Sequence, residues 1–453
     1  MLRLDKDVVQ LAQLPTEERL RGLKRIIPCA TIKAILKQAP AAGRTCSRLP
    51  DWFMVWFVIG LGLFSTDGYR QIYRWLQPFR RQGTPGRSTL CEGRHRLGVA
   101  PLCRLVATVV HLLAGPKTTG AFYQGLRLMA IDGWVANLPD TPANARVFGR
   151  PQGGRTPGAF PQARVVSLCE VATHVLWRSL IKPLRCGETT MARCLLRFLQ
   201  ENMLLLCDRN FLGYRVLTQI VQRRAHVLAR LKSTFVFRRR RRFPDGSYLS
   251  KVYPSSWARH GDRDGILVRV IEYTFNDSGR PGSGQRHRLL TTLLDWQQHP
   301  APTLILLYHQ RWEQELAIDE VKTHQGRLVL RSQTPAGVVQ EIHGLLLAHY
   351  VVRKLMFDAA ATVQLPPLRL SFTNTLKILR TRLPTCPKGR RQRQAWYVDL
   401  VAEVAEQTLE ERRNRVNPRV IKQKVKKWPS KREKHRRFPQ PRKKIEESIR
   451  VFR

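Results

Sequence analysis

The chain has 453 residues, 43% of them hydrophobic, which is enough for two or three domains with sizeable cores and excludes a disordered chain. Lys and Arg number 79 against 33 Asp and Glu, a formal charge of +46, and a globular chain that basic meets a polyanion, nucleic acid first and an anionic membrane second. The nine Cys include no C-x-x-C pair, which argues against a disulfide framework or a zinc site and fits a reducing cytosol.

Residues 1–120 read as short helices. "LPTEERLRGLKRI" has a Thr cap, acids in its first turn and bases later. "WFMVWFVIGLGLF", residues 52–64, is too short for the about 20 residues of a bilayer span, so a buried core helix is expected and no membrane segment. "STDGYRQIYRWL" and "GTPGRSTLCEGRHRLGVAPL" add further helices behind turn signals. Short capped helices with Arg on their polar faces suit a DNA-binding domain, and equally a structural helical cap.

From 121 the pattern becomes α/β. "GLRLMAIDGWVANL" reads as a strand ending at Asp132-Gly133, and "ARVVSLCEVATHVLWRSLI" as two strands in succession. "ETTMARCLLRFLQE" is a helix, "NMLLLCDRNF" a strand ending at Asp208, and "LGYRVLTQIVQRRAHVLARL" a helix. A mixed sheet with helices is expected, with both Asp residues at C-terminal strand ends, where such sheets place functional groups. Residues 233–296 read as an inserted β subdomain that opens on a hairpin with Pro-Asp-Gly at its turn. Its run of five Arg, 238–242, would face both ways on a strand, as in an exposed ribbon touching DNA. Helices follow to 361 and through 362–410. Residues 411–453 hold 18 Lys and Arg, 4 acids and four Pro, and read as a flexible basic tail, binding nucleic acid or simply solvated.

One stretch, "YHQRWEQELAIDEVK", places Tyr308, Arg311, Glu315 and Lys322 at offsets 0, 3, 7 and 14. At about 100° per residue these share an arc of roughly 60° on a continuous helix. Asp319 falls on the same stripe. The stripe could be a solvated ion-pair face, worth about 0–1 kcal/mol, or part of a site. Three carboxylates brought to one spot, Asp132, Asp208 and an acid of this stripe, would suit two hard divalent cations and phosphodiester chemistry.

The spacing Y-(2)-R-(3)-E-(6)-K at Tyr308, Arg311, Glu315 and Lys322 resembles the signature of the insertion sequence 4 family of DDE transposases. "MAIDGWVANLPDTPANARVFGRP" and "LLLCDRNFLGYRVL" are similar to that family's first and second Asp segments. The resemblance extends over most of the chain, leaving out only the end after about 430. It implies an RNase H-like core over 121–361, interrupted by the β insertion and preceded by a DNA-binding domain. Asp132, Asp208 and Glu315 would bind two Mg²⁺, with Mn²⁺ as a substitute, and Tyr308, Arg311 and Lys322 would hold phosphates of the transposon end.

The implied reaction nicks the transposon end, forms and reopens a hairpin, and joins the 3′ end to target DNA. A flipped base would stack on an aromatic group of the insertion, with Trp257 and Trp296 as candidates. The implied partners are double-stranded DNA, as terminal inverted repeats and target, and a second copy of the chain. The expected setting is the bacterial cytoplasm, at the nucleoid. Trp134 departs from the family, which has a small hydroxyl residue after the Asp-Gly pair. With the Arg run, it keeps open a decayed copy that only binds DNA. A general basic nucleic-acid-binding protein with structural acids is the remaining alternative.

Overall fold

Turn chemistry and apolar runs set the element order. The computed structural model describes residues 23–38, 49–76, 83–152, 158–232, 235–280, 282–387, 390–410 and 440–452. Helices come first: α1 (Cys29–Lys37), α2 (Asp51–Leu63), α3 (Tyr69–Leu76), α4 (Arg87–Leu97) and α5 (Ala100–Val109). Then follow β1 (Phe122–Tyr123), β2 (Leu126–Asn137), α6 (Pro142–Phe148), β3 (Gln162–Glu170), β4 (Val175–Pro183), α7 (Glu188–Leu195), β5 (Met203–Cys207), α8 (Tyr214–Gln222) and β6 (His226–Arg230). The β-rich stretch holds β7 (Arg241–Arg242), β8 (Tyr248–Val252), α9 (Ser256–His260), β9 (Ile266–Phe275) and β10 (His287–Thr291). The chain continues through α10 (Ala301–His309), α11 (Trp312–Asp319), a π-helical turn at Glu320–Gln325, α12 (Pro335–Thr362), α13 (Phe372–Arg382) and α14 (Arg390–Ala405), and closes on α15 (Ile445–Ser448) and β11 (Ile449–Val451).

The chain divides into two compact units, 1–195 with 313–409, and 196–312 with 410–453. In the first, β1 to β4 pair antiparallel in sequence order. Its core lies between these strands and the helices α11 and α12, through Trp134, Val165, Ala317, Ile318, Val321 and Ile342. The predicted core helix is α2, buried from Phe53 to Leu63. Its Gly62 lies against Gly344 of α12, where a Cβ on either glycine would strike the other helix's backbone. Pro335 starts α12, and Thr334 caps it by accepting from the Gly337 amide at 3.2 Å.

In the second unit β5 and β6 run parallel, and β6, β10, β9, β8 and β7 follow as antiparallel neighbours. Parallel and antiparallel pairs together make the mixed α/β architecture that was expected. The Pro244-Asp245-Gly246 turn joins β7 to β8, with Gly246 at φ +83°.

Four expectations change. β2 does not stop at Asp132. It runs on to Asn137, because Gly133 stays extended opposite Val166 instead of turning. The stretch read as one helix over 212–231 is α8 followed by β6, since Arg224, at φ +54°, ends the helix and sends "HVLAR" beside β5.

The stripe helix is also broken. The Gln310 and Arg311 amides bond three residues back, to Leu307 and Tyr308, so α10 closes before α11 opens, and the π turn widens the helix from Glu320. The projection at about 100° per residue therefore fails across 308–322. Finally, of the segment expected to be a flexible basic tail, residues 411–439 lie outside the described residues, while 440–452 are folded. There β11 pairs with β9, and the Asp277 carboxylate accepts from the Arg442 and Lys443 amides at 3.1 and 3.2 Å.

Candidate active site

The six predicted residues divide between the two units. Asp132, Glu315 and Lys322 belong to the first, and Asp208, Tyr308 and Arg311 to the second. Among the described residues no group of three His, Cys, Asp or Glu side chains stands close enough to hold a metal ion.

In the first unit Asp132 sits mid-strand, half-buried, paired with Ser167 of β3. Its Oδ1 accepts from the Gly133 amide at 2.8 Å. Beside it, Gln314 is fully buried and its Nε2 donates to the Ser167 carbonyl at 3.0 Å. That bond docks the first turn of α11 on β3 at the residue that faces Asp132. Glu315, next in the chain, is half-buried. Its rival Asp319 is engaged with the Thr323 hydroxyl and with His324 Nε2 at 3.4 Å. Trp134 lies two residues beyond Asp132, on the same face of β2. Its ring packs into the core with Ala317, Ile318 and Val321, as a floor under α11. Lys322 is exposed, at the rim of a cleft of about 240 Å³ that Trp134 and Arg327 also line.

In the second unit Asp208 follows β5 directly, in extended conformation, as expected. Tyr308 is 6% exposed, and its hydroxyl finds no hydrogen-bond partner among the described residues. Burial pushes that hydroxyl's pKa well up, with Arg311 pulling it down and Asp208 and Cys207 adding to the rise, so these groups are near neighbours. The Arg311 guanidinium lies 6.0 Å from the centre of the Tyr308 ring. Burial and Asp208 together raise the Cys207 thiol to about 12, against Arg311. Burial, with Arg280, His287, Arg230 and Arg311 nearby, lowers His309 to about 4, and its Nε2 also lacks a partner among the described residues.

A cleft of about 540 Å³ that begins at Arg209, next in the chain to Asp208, is lined by five arginines, 209, 230, 239, 286 and 288, with Phe235, Phe237 and Glu272, whose carboxylate pairs with Arg239 and Arg286. The two Phe rings stack at 6.0 Å and 13°. Neither tryptophan named from the sequence lines it. Trp296 stacks on Phe243 at 6.3 Å, and Trp257 is 69% exposed under the Arg263 guanidinium. Sequence reading missed this pocket, although two Phe flanking Val236 just before an Arg run was an available signal. It also missed a buried cluster of His174, Glu313, Glu320, His349 and Arg353, for which two Glu seven residues apart were the only hint.

Comparison with known proteins defines the class. The sequence model of the family described as "Transposase DDE domain" matches residues 123–351, and that described as "Insertion element 4 transposase N-terminal" matches 17–107. The chain belongs to the insertion sequence 4 family of DDE transposases, with the α/β, RNase H-like fold of that class. It is 29% identical over 394 residues to the transposase InsG for insertion sequence element IS4 of Escherichia coli (strain K12), covering 84% of this chain and 87% of that one. It is 26% identical over 177 residues to the putative transposase InsZ of the same organism, covering 39% of this chain and 59% of that one. Among solved structures, a piggyBac transposase synaptic complex with hairpin DNA superposes with a TM-score of 0.42 at 11% identity, covering 84% of this chain and 85% of that one. The protein is thus a transposase, an enzyme that cuts and joins DNA. Among the described residues no helix is long and apolar enough to cross a membrane.

Proposed function

We propose that this transposase cleaves at the ends of its element and joins the freed 3′ ends to target DNA, with Asp132, Asp208 and Glu315 as its catalytic acids. The observation that carries this is the Gln314–Ser167 bond, which brings the Glu315 turn onto the strand residue that faces Asp132. The donor set is carboxylate oxygen alone, which suits hard divalent cations such as Mg²⁺ or Mn²⁺. Such ions, when bound, lower the pKa of water and stabilise a leaving oxygen.

The other steps fall to the chain's own groups. Arg311 offers a fork of donors, Lys322 a point charge and Tyr308 a hydroxyl, and together they hold phosphate oxygens of the transposon end. Nicking puts a water oxygen on phosphorus and releases a 3′-hydroxyl. That hydroxyl displaces the opposite strand's phosphate ester to form a hairpin, and it is regenerated when water reopens the hairpin. Joining repeats the displacement on target DNA. The unpaired nucleotide of the hairpin is held in the arginine-lined cleft, stacked on Phe235 and Phe237, a reading supported by the ring pair and the surrounding positive charge. Two ends act together, so the working form is a homodimer on terminal inverted repeats, and the N-terminal helices and the Arg run grip flanking DNA.

The test is nicking of terminal-repeat DNA with Mg²⁺ by wild type and by Glu315→Gln. A loss on the order of 10³-fold is expected, several kcal/mol of transition-state stabilisation. Equal nicking by both removes Glu315 from the mechanism. Tight binding with no nicking by wild type identifies a decayed copy that only binds DNA.

A further inference from the structure

Glu315 lies between two glutamates, Glu313 and Glu320, that one imidazole ties together. His174 stands at the turn between β3 and β4, 2% exposed. Its Nε2 is 3.0 Å from Glu313 Oε2, and its Nδ1 is 2.9 Å from Glu320 Oε1 and 2.5 Å from an Arg353 guanidinium nitrogen, so His174 meets Glu320 both directly and through Arg353. The Glu320 carboxylate also accepts from Arg353 Nε at 2.8 Å, from a second Arg353 nitrogen, and meets His349 Nε2 at 3.0 Å. Burial alone would raise the Glu320 carboxyl's pKa. Arg353, His174 and His349 outweigh it and hold the group well below the usual range, so a charged carboxylate is locked inside the protein.

The turn that presents His174 is itself constrained. Its φ of +57° is the left-handed region that a residue with a Cβ enters at a cost. The Thr173 hydroxyl, bonded to Glu170 Oε2, helps to hold it. His174 therefore grips α11 from the end of β3, and Ser167 grips it from the middle of the same strand. The two grips flank Glu315, and the strand they come from is the one paired with Asp132.

We propose that His174 is a positioning residue for DNA cleavage: by bridging Glu313 and Glu320 it fixes the turn of α11 that presents Glu315 toward Asp132. This rests on the assignment of Asp132 and Glu315 as catalytic acids. A bridge whose function is only to stabilise the fold would be lost with stability and DNA binding together. A positioning bridge is lost in the chemical step.

The test uses the full chain and His174→Ala, His174→Gln, Glu313→Gln and Glu315→Gln. Three quantities are read: the single-turnover nicking rate at saturating terminal-repeat DNA with Mg²⁺, affinity for that DNA without divalent metal, and amide exchange of the protein alone. His174→Ala is expected to nick about 10- to 100-fold more slowly with unchanged affinity, in the range of groups that orient metal ligands. His174→Gln, which keeps one donor, should fall between it and wild type. Exchange should quicken within 312–325 and not elsewhere.

If His174→Ala does not fold, Glu313→Gln takes its place, because that side chain stays partly exposed, and a several-fold slower rate is expected. Rates within twofold of wild type, or affinity falling in step with rate alongside faster exchange throughout, overturn the proposal. If Glu315→Gln is inert while His174→Ala nicks normally, only the positioning role fails. If Glu315→Gln nicks normally, the catalytic assignment fails and takes this proposal with it.

Discussion

The surroundings of Glu320 in the first unit and of Tyr308 in the second are both buried, yet they are completed differently. Each Glu320 oxygen meets one Arg353 nitrogen and one imidazole nitrogen, and the balancing Arg353 is 3% exposed. Around Tyr308, the hydroxyl and the neighbouring His309 Nε2 are buried with no hydrogen-bond partner among the described residues. A buried polar group left unmatched costs about 1–3 kcal/mol, so it persists where something else repays it. The first region is complete as folded and serves geometry. The second holds buried polar atoms that the described residues leave unmatched, which is what the proposed phosphate-holding role of Tyr308 would need.

Breaking the complete region should have the larger effect. Arg353→Met removes the guanidinium that balances Glu320 and leaves only the two imidazoles beside it, and should lower unfolding free energy by about 3–5 kcal/mol in denaturant titration. A loss under 1 kcal/mol would mean that the cluster is less tightly coupled than its geometry implies.

Acid should come next. Burial lowers His309 and His343 to about 4 each, one in each unit. The unfolded chain takes up these protons as pH falls through about 6.5, and the folded chain does so only near 4. Stability is therefore complete above about pH 6.5 and is lost as pH drops toward 4, by on the order of 2–3 kcal/mol per histidine. Leucine at both positions should flatten thermal stability over that window. Glu320, with its depressed pKa, acts in the same direction only at lower pH.

Tyr308→Phe removes a hydroxyl that has no partner within the described protein, so unfolding should change little. Terminal-repeat affinity or nicking should fall about tenfold or more, the value of a hydrogen bond to a charged group. A stability loss with normal DNA handling would reverse the comparison. The smallest effect is expected from the exposed Arg238 and Arg242. Their replacement by Gln should reduce the slope of log affinity against log salt by up to about 2, at about 0.9 for each phosphate no longer neutralised. An unchanged slope would remove the ribbon from the DNA-binding surface.

Elements with a single consistent local signal were legible in the sequence. The all-apolar run of α2, the β3–β4 pair and the short β5 ending at Asp208 were each read correctly, because period, length and turn residues agreed. Where local signals conflict, pairing decided. Asp-Gly reads as a turn, but nine consecutive pairings with β3 carry β2 straight through it. "HVLAR" continues a helical apolar spacing, but the edge of β5 claims it as a strand. The stripe at 308–322 was informative as a motif and misleading as geometry, because it assumed one unbroken helix. The His174 cluster was invisible for another reason. His174 and Glu320 are 146 residues apart, and nothing in either neighbourhood announces the other.

The close approach of Gly62 and Gly344 has a consequence for how such proteins diversify. Gly62 lies in the segment matched by the N-terminal family, and Gly344 in the segment matched by the DDE-domain family. The two segments are thus two sequence families but one packed body, joined where neither backbone tolerates a methyl group. A graft that exchanges the first hundred residues between relatives inherits this seam and must match it, so the segments are constrained to change as a pair.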